Sequence, residues 1–109
     1  MKRFPAVWAL LALSLAASPL TLEEVMTRPR PPEGYAGLRV QVDAKVGTVA
    51  CDEKSCAIRA YQWVDDLKVI VFLRIAQGHR WAAARKRPGD PIFMECSYIG
   101  DFDYGECVF

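Results

Sequence analysis

Leu38 to Cys51, LRVQVDAKVGTVAC, is the stretch on which the fold turns. Leu38, Val40, Val42, Ala44 and Val46 alternate with Arg39, Gln41, Asp43 and Lys45, the period-two pattern of a strand with one face in a core. Beyond Gly47 the parity changes, and Val49 and Cys51 become the inward residues. A strand keeps its faces unless one residue is inserted, and a glycine bulge both inserts it and bends the strand. The stretch therefore predicts one long strand bent at Gly47.

Downstream, DEKS (Asp52 to Ser55) is a tight connection to a second strand, Cys56 to Trp63, and Asp65-Asp66 turns the chain into a third, Leu67 to Ile75. With the two aspartates at the tip of a two-residue hairpin, Ile58 opposes Leu73, Ala60 opposes Val71 and Gln62 opposes Val69 on one face. Arg59 then opposes Phe72, Tyr61 opposes Ile70 and Trp63 opposes Lys68 on the other. Core positions meet core positions and an aromatic and basic set collects on the other side, so turn chemistry and patterning agree. Gln77 to Arg87 breaks the alternation. Three consecutive alanines, cations in the last turn and a Pro88-Gly89 stop predict one short helix, with Trp81 as its core plug and Ala84 or Arg85 one turn on. Pro91 to Tyr98, a GDFD turn (Gly100 to Asp103) and Tyr104 to Phe109 make the final hairpin.

The four cysteines, Cys51, Cys56, Cys96 and Cys107, allow three pairings. Centring the last turn between Asp101 and Phe102 sets Cys96 across from Cys107, and centring the first connection between Glu53 and Lys54 sets Cys51 across from Cys56. Opposed positions on antiparallel strands can bridge, which favours these local disulfides. Zinc is the rival reading for the C-x4-C pair, but the second spacing matches no compact zinc knuckle. The C-x-x-C of thiol oxidoreductases is absent.

Disulfides imply an oxidising compartment, and the N-terminus agrees. Lys2 and Arg3 precede an apolar run, Phe4 to Ala17, shorter than the roughly 20 residues a spanning helix needs and ending in small residues. Residues 1–16 read as a cleaved signal peptide, leaving no stable membrane anchor. Cleavage removes two of the 14 Lys and Arg that stand against 13 Asp and Glu, so the exported chain is essentially neutral and no nucleic-acid partner is expected. Residues 17–36, with Pro19, Pro29, Pro31 and Pro32, read as an extended leader or linker in which a short helix over Leu22 to Thr27 is possible. Residues 37–109 form the domain, and a chain of 109 residues holds only one.

Three strands, a helix and two strands, with a bulged first strand, is the order of the OB fold, a five-stranded barrel. The end of the chain, AAARKRPGDPIFMECSYIGDFDYGECVF (Ala82 to Phe109), resembles small exported bacterial OB-fold proteins of the tRNA-anti-like kind. The matching residues are Gly89 and Asp90 entering strand four, Cys96 within it and Cys107 in strand five. The resemblance implies a mainly β, five-stranded OB-like barrel (β-β-β-α-β-β) with one short helix. Cys51 and Cys56 are additions to that pattern, and the short turns leave little room for a binding loop.

On such barrels ligands meet the outer face of strands two and three. Here that face presents Arg59, Tyr61, Trp63, Lys68, Phe72 and Arg74, aromatics interleaved with cations, which stack on rings and attract anions. The competing reading makes them cross-strand pairs that stabilise the hairpin, or places them under the N-terminal segment. Catalysis lacks a signature. His79 has no partner at a recognisable spacing, and the carboxylate pairs Asp65-Asp66 and Asp101 with Asp103 sit in turns, where aspartate serves the backbone. The sequence reads as a periplasmic or secreted non-catalytic binding module without cofactor or metal, its partner an envelope protein or a small anionic or saccharide ligand. The alternative is an inhibitor or accessory subunit of an envelope enzyme.

Overall fold

The structure, a computed structural model, describes residues 19–109, so the signal peptide expected over residues 1–16 lies outside the described residues. The chain runs β1 (Leu20–Thr21), α1 (Leu22–Thr27), β2 (Arg39–Cys51), β3 (Cys56–Val64), β4 (Leu67–Ile75), a 3-10 turn (Gln77–His79), α2 (Arg80–Ala84), β5 (Pro91–Gly100) and β6 (Asp103–Val108). The strands β2-β3-β4-β6-β5 follow one another around the sheet, and β5 returns to β2, closing a five-stranded barrel in which β4 and β6 run parallel. This is the mainly β, OB-like architecture that the strand order implies.

β2 bends where its parity changes. Val40, Val42, Ala44 and Val46 are buried, the pairing with β3 slips between Val46 and Thr48, and past the slip Val49 packs on the core. Gly47 is required there by space: a Cβ on it would lie 2.9 Å from the Arg59 carbonyl oxygen. Two expectations at the strand's ends are corrected. Leu38 is exposed, because it precedes the strand and its N–H closes a turn onto the Tyr35 carbonyl. Cys51 is exposed as well, although its sulfur reaches the buried Cys56.

The β3–β4 hairpin has the register that the Asp65-Asp66 tip dictates, from Ala57 opposite Arg74 to Val64 opposite Leu67. Both aspartates have positive φ, 48° and 66°, the conformation of a type I′ turn, which aspartate tolerates better than most residues. The C-terminal hairpin departs from simple opposition. Glu95 faces Val108 and Gly100 faces Asp103, but between them Ser97 faces Gly105 and Tyr98 faces Tyr104. One slip near Ile99 and another near Glu106, whose φ is 49°, cancel, so Cys96 and Cys107 still bridge, both fully buried. The second disulfide, Cys51–Cys56, closes the β2–β3 turn. There Asp52 Oδ1 accepts the N–H groups of Lys54 and Ser55 at 2.8 and 2.7 Å, bonds that hold its carboxyl below the usual carboxylate range.

The helix is shorter than predicted and turned differently. Trp81 is not the core plug; it is 80% exposed, and Ala84 and Arg85 are exposed too. The 3-10 turn over Gln77–His79 rotates the five-residue α2 so that Ala83 alone is buried. Arg80 donates to the Asp52 and Glu53 carbonyls and ties α2 to the β2–β3 turn. After α2, Gly89 N–H donates to the Val46 carbonyl and the Asp90 carbonyl accepts the Val46 N–H, a clip that seats the start of β5 beside the bulge.

The leader expected over 17–36 is not a bare tether from Leu20 onward. β1 pairs in parallel with Val40 and Gln41, and α1 buries Leu22 and Val25 in the same core. A capping box starts α1: Glu24 N–H donates to the Thr21 hydroxyl, and Thr21 N–H donates to the Glu24 carboxylate, which these bonds lower in pKa. Tyr35 packs edge-on to Tyr98, and Tyr98 edge-on to Tyr104. The Tyr98 hydroxyl and Arg30 both donate to the Asp101 carboxylate, so the leader is anchored at both ends.

Two expected outcomes follow from this packing. Gly47→Val should lower stability by about 1–3 kcal/mol, as overpacking does, with a matching fall in the urea midpoint; an unchanged midpoint would show that β2 does not need the close approach. Tyr98 is raised in pKa by its bond to Asp101, and Tyr104 is raised by burial. Groups raised in the folded state contribute stability that is complete below the unfolded tyrosine value of about 10 and is lost as pH climbs through the folded values. The urea midpoint should therefore be insensitive to these two groups near neutrality and fall above pH about 10, and Tyr98→Phe should reduce that fall.

Candidate functional site

Alternation along β3 and β4 sorts their side chains. Ile58, Ala60, Val71 and Leu73 fill the barrel, and Arg59, Tyr61, Trp63, Lys68, Phe72 and Arg74 stand on the outside, as predicted. The six share one face but not one role. Arg59 and Phe72 are directly opposite, with the guanidinium 5.2 Å from the ring centroid. Lys68 is opposite Trp63 in register yet places its ammonium over Tyr61, 4.5 Å from the ring centroid. Trp63 is thereby left 64% exposed. Arg74 is engaged with the Asp103 carboxylate of β6 at 3.3 Å. The cross-strand reading holds for Arg59 with Phe72, fails for Trp63 with Lys68, and leaves the largest aromatic free.

Among the described residues, the N-terminal segment (19–36) does not cover this face. β1 lies against β2 at Val40 and Gln41, α1 packs into the core, and Phe72 remains 48% exposed. Ile70 and Phe102 are exposed with it and extend the predicted set, whereas Leu67, also exposed, shares the parity of Val69 and Val71 and lies on the other face at the hairpin tip. Ile70 was legible from the hairpin register, which puts it across from Tyr61; Phe102 was signalled only by an apolar residue at the tip of a turn.

Two grooves border the face. One, of about 650 Å³, runs beside Phe72, Arg74, Phe102 and Asp103 to Ala57 and Ile75. The other, of about 300 Å³, lies between Asp43 and Lys45 of β2 and Tyr61 and Trp63 of β3. Between them the strands β3 and β4 offer rings, a methyl-rich centre at Ile70 and cations, an arrangement that stacks on planar or apolar groups and draws negative charge.

The remaining polar candidates are held by the fold. His79 Nδ1 accepts the Phe109 N–H at 3.2 Å, and the two rings are tilted against each other with centroids 6.0 Å apart. Asp65 and Asp66 form the hairpin tip, Asp101 takes Tyr98 and Arg30, and Asp103 takes Arg74. The four cysteines are paired. Among the described residues no group of three or more His, Cys, Asp or Glu is placed to hold a metal ion.

If Trp63 is displayed for a partner, its removal should be nearly silent for stability. Trp63→Ala should shift the unfolding free energy by less than about 0.5 kcal/mol, whereas Leu73→Ala on the opposite face should cost about 2–5 kcal/mol. A loss at Trp63 comparable to that at Leu73 would make it a structural residue. No family model, curated protein or solved structure matches the chain, so its function is to be read from this face.

Proposed function

We propose that this chain is an exported, non-catalytic binding module that captures an envelope ligand or protein on the outer face of β3 and β4. The observation that carries the reading is the exposure of Trp63, Ile70 and Phe72 together on one sheet face, between two grooves, with cations interleaved. A free chain gains nothing in folding from leaving such a contiguous apolar surface in water, and surfaces of this kind mark interaction sites. The barrel interior offers no competing place, because it is filled by Ile58, Val71, Leu73, Met94 and Tyr104. Two disulfides and an N-terminal apolar run preceded by Lys2 and Arg3 support export to an oxidising compartment.

Mechanistically, capture would combine stacking on Trp63 and Tyr61 with attraction to Arg59 and Lys68. Their cation–π contacts to Phe72 and Tyr61 prepay part of the side-chain ordering. The oxidised chain, immobilised and exposed to envelope extract, should retain a partner that the Tyr61→Ala, Trp63→Ala double variant does not retain. Titration with small saccharides and anions, read on the Trp63 indole resonance, should separate a small ligand from a protein. Equal retention by the double variant would reject the face as the binding site.

A further inference from the structure

β4 is only half paired on one side. Its edge toward β6 is occupied from Phe72 to Ile75, where Phe72 N–H donates to the Phe102 carbonyl at 2.8 Å and β6 begins at Asp103. From Leu67 to Val71 that edge meets no strand among the described residues. Backbone groups alternate in direction along a strand, so the N–H and C=O of Lys68 and Ile70 point the same way as the Phe72 N–H, into the open edge. The other edge of these residues is taken by β3 from Ala57 to Val64.

An open edge with paired donors and acceptors is a template for another extended chain. Its charge selects which. The outer positions of β3 and β4 carry Arg59, Lys68 and Arg74 and no carboxylate; the acids of the hairpin are confined to its tip, Asp65 and Asp66. Arg74 has Asp103, but Arg59 and Lys68 have no carboxylate within ion-pair distance among the described residues. Alternate side chains of a strand face opposite sides, so acids along one face of an added strand would lie beside Lys68, and its other face would lie beside Leu67, exposed, and Val69, half-buried. We infer that the free half of β4 takes up an extended, acidic segment of a partner protein as an additional strand, with acidic and apolar side chains alternating. This rests on the proposal that the outer face binds a partner, and it names that partner's chemistry. Strand addition would supply up to four backbone hydrogen bonds at Lys68 and Ile70, and the added strand would abut the Asp101-Phe102 turn, in line with β6.

The test uses the oxidised full chain and a capped peptide, Glu-Val-Glu-Val-Glu-Val-Glu. Its controls are the same peptide with Lys for Glu, and an acidic version N-methylated at alternate residues so that it cannot pair at an edge. At saturation the acidic peptide should slow exchange of the Lys68 and Ile70 amides by about tenfold or more, and neither control should do so. Lys68→Glu should reverse the preference between the acidic and basic peptides without touching the backbone. Ile70→Pro should abolish the protection, and because proline can distort an edge, Lys68→Glu keeps the test decisive. Three results would overturn the inference: a shifted Trp63 indole with unprotected Lys68 and Ile70 amides, no response to the acidic peptide, or amides already protected in a concentration-dependent dimer. The first of these would leave the face itself as a binding site, whereas loss of that site is read separately, from retention of the partner by the Tyr61→Ala, Trp63→Ala variant.

Discussion

One strand has to serve two neighbours, and the barrel depends on its bend. β2 pairs with β5 from Arg39 to Lys45 and with β3 from Lys45 to Cys51, so Lys45 is shared, opposite Tyr61 on one side and Pro91 on the other. A straight strand could extend either pairing but could not turn from one partner to the next around a closed sheet. The extra residue at Gly47 supplies that turn, and the absence of a side chain lets the Arg59 carbonyl come close. The clip from Gly89 and Asp90 lands on Val46, the residue just before the slip. The Gly89-Asp90 pair thus has a structural task here, delivering β5 to the bend.

How much of this was legible follows from which signals are local. The bulge and the β3–β4 register were readable because period-two patterning and a two-residue turn each fix parity, and both had to give the same faces. The disulfide partners were readable for the same reason. The paired slips at Ile99 and Glu106 were not, because two cancelling shifts leave the ends of a hairpin aligned and erase their trace in simple opposition. The size of Trp81 points to burial, yet it stands outside. A five-residue helix presents very little surface, and the 3-10 turn ahead of it decides which residue faces inward; Ala83 fits and Trp81 is left outside. The leader's proline content disguised its docking, since a single helical turn with Leu22 and Val25 is enough to join the core once Thr21 and Glu24 cap it.

The face was legible as a set and not as a network. Strand alternation put all six residues outside, but which cation meets which ring depends on side-chain reach across a diagonal. Lys68 is long enough to pass over Tyr61 rather than sit by its directly opposite neighbour. That choice decides the chemistry of the surface, because it leaves Trp63 open, while the ion pair of Arg74 with Asp103 turns one predicted contact into a tie between β4 and β6.

Restraint is spread unevenly along the hairpin that bears this face. At one end Cys51–Cys56, the Arg80 bonds to the β2–β3 turn, Cys96–Cys107 and the Ala76 N–H to the Cys107 carbonyl all converge where β3 begins and β4 ends. Toward the tip the neighbours fall away: β2 pairs with β3 only as far as Tyr61, and β6 pairs with β4 only from Phe72. What remains, Gln62 to Val71, is a two-stranded ribbon, the arrangement with the least independent stability in a sheet. Exposed aromatic surface and unpaired backbone therefore coincide where, among the described residues, the hairpin has the fewest strand neighbours. A partner that completes the sheet there would bury the rings, satisfy the edge and stiffen the ribbon together, so binding and local order would be coupled through the same few residues. The stapled end would meanwhile hold the barrel unchanged, which confines the response to the hairpin and keeps its cost small.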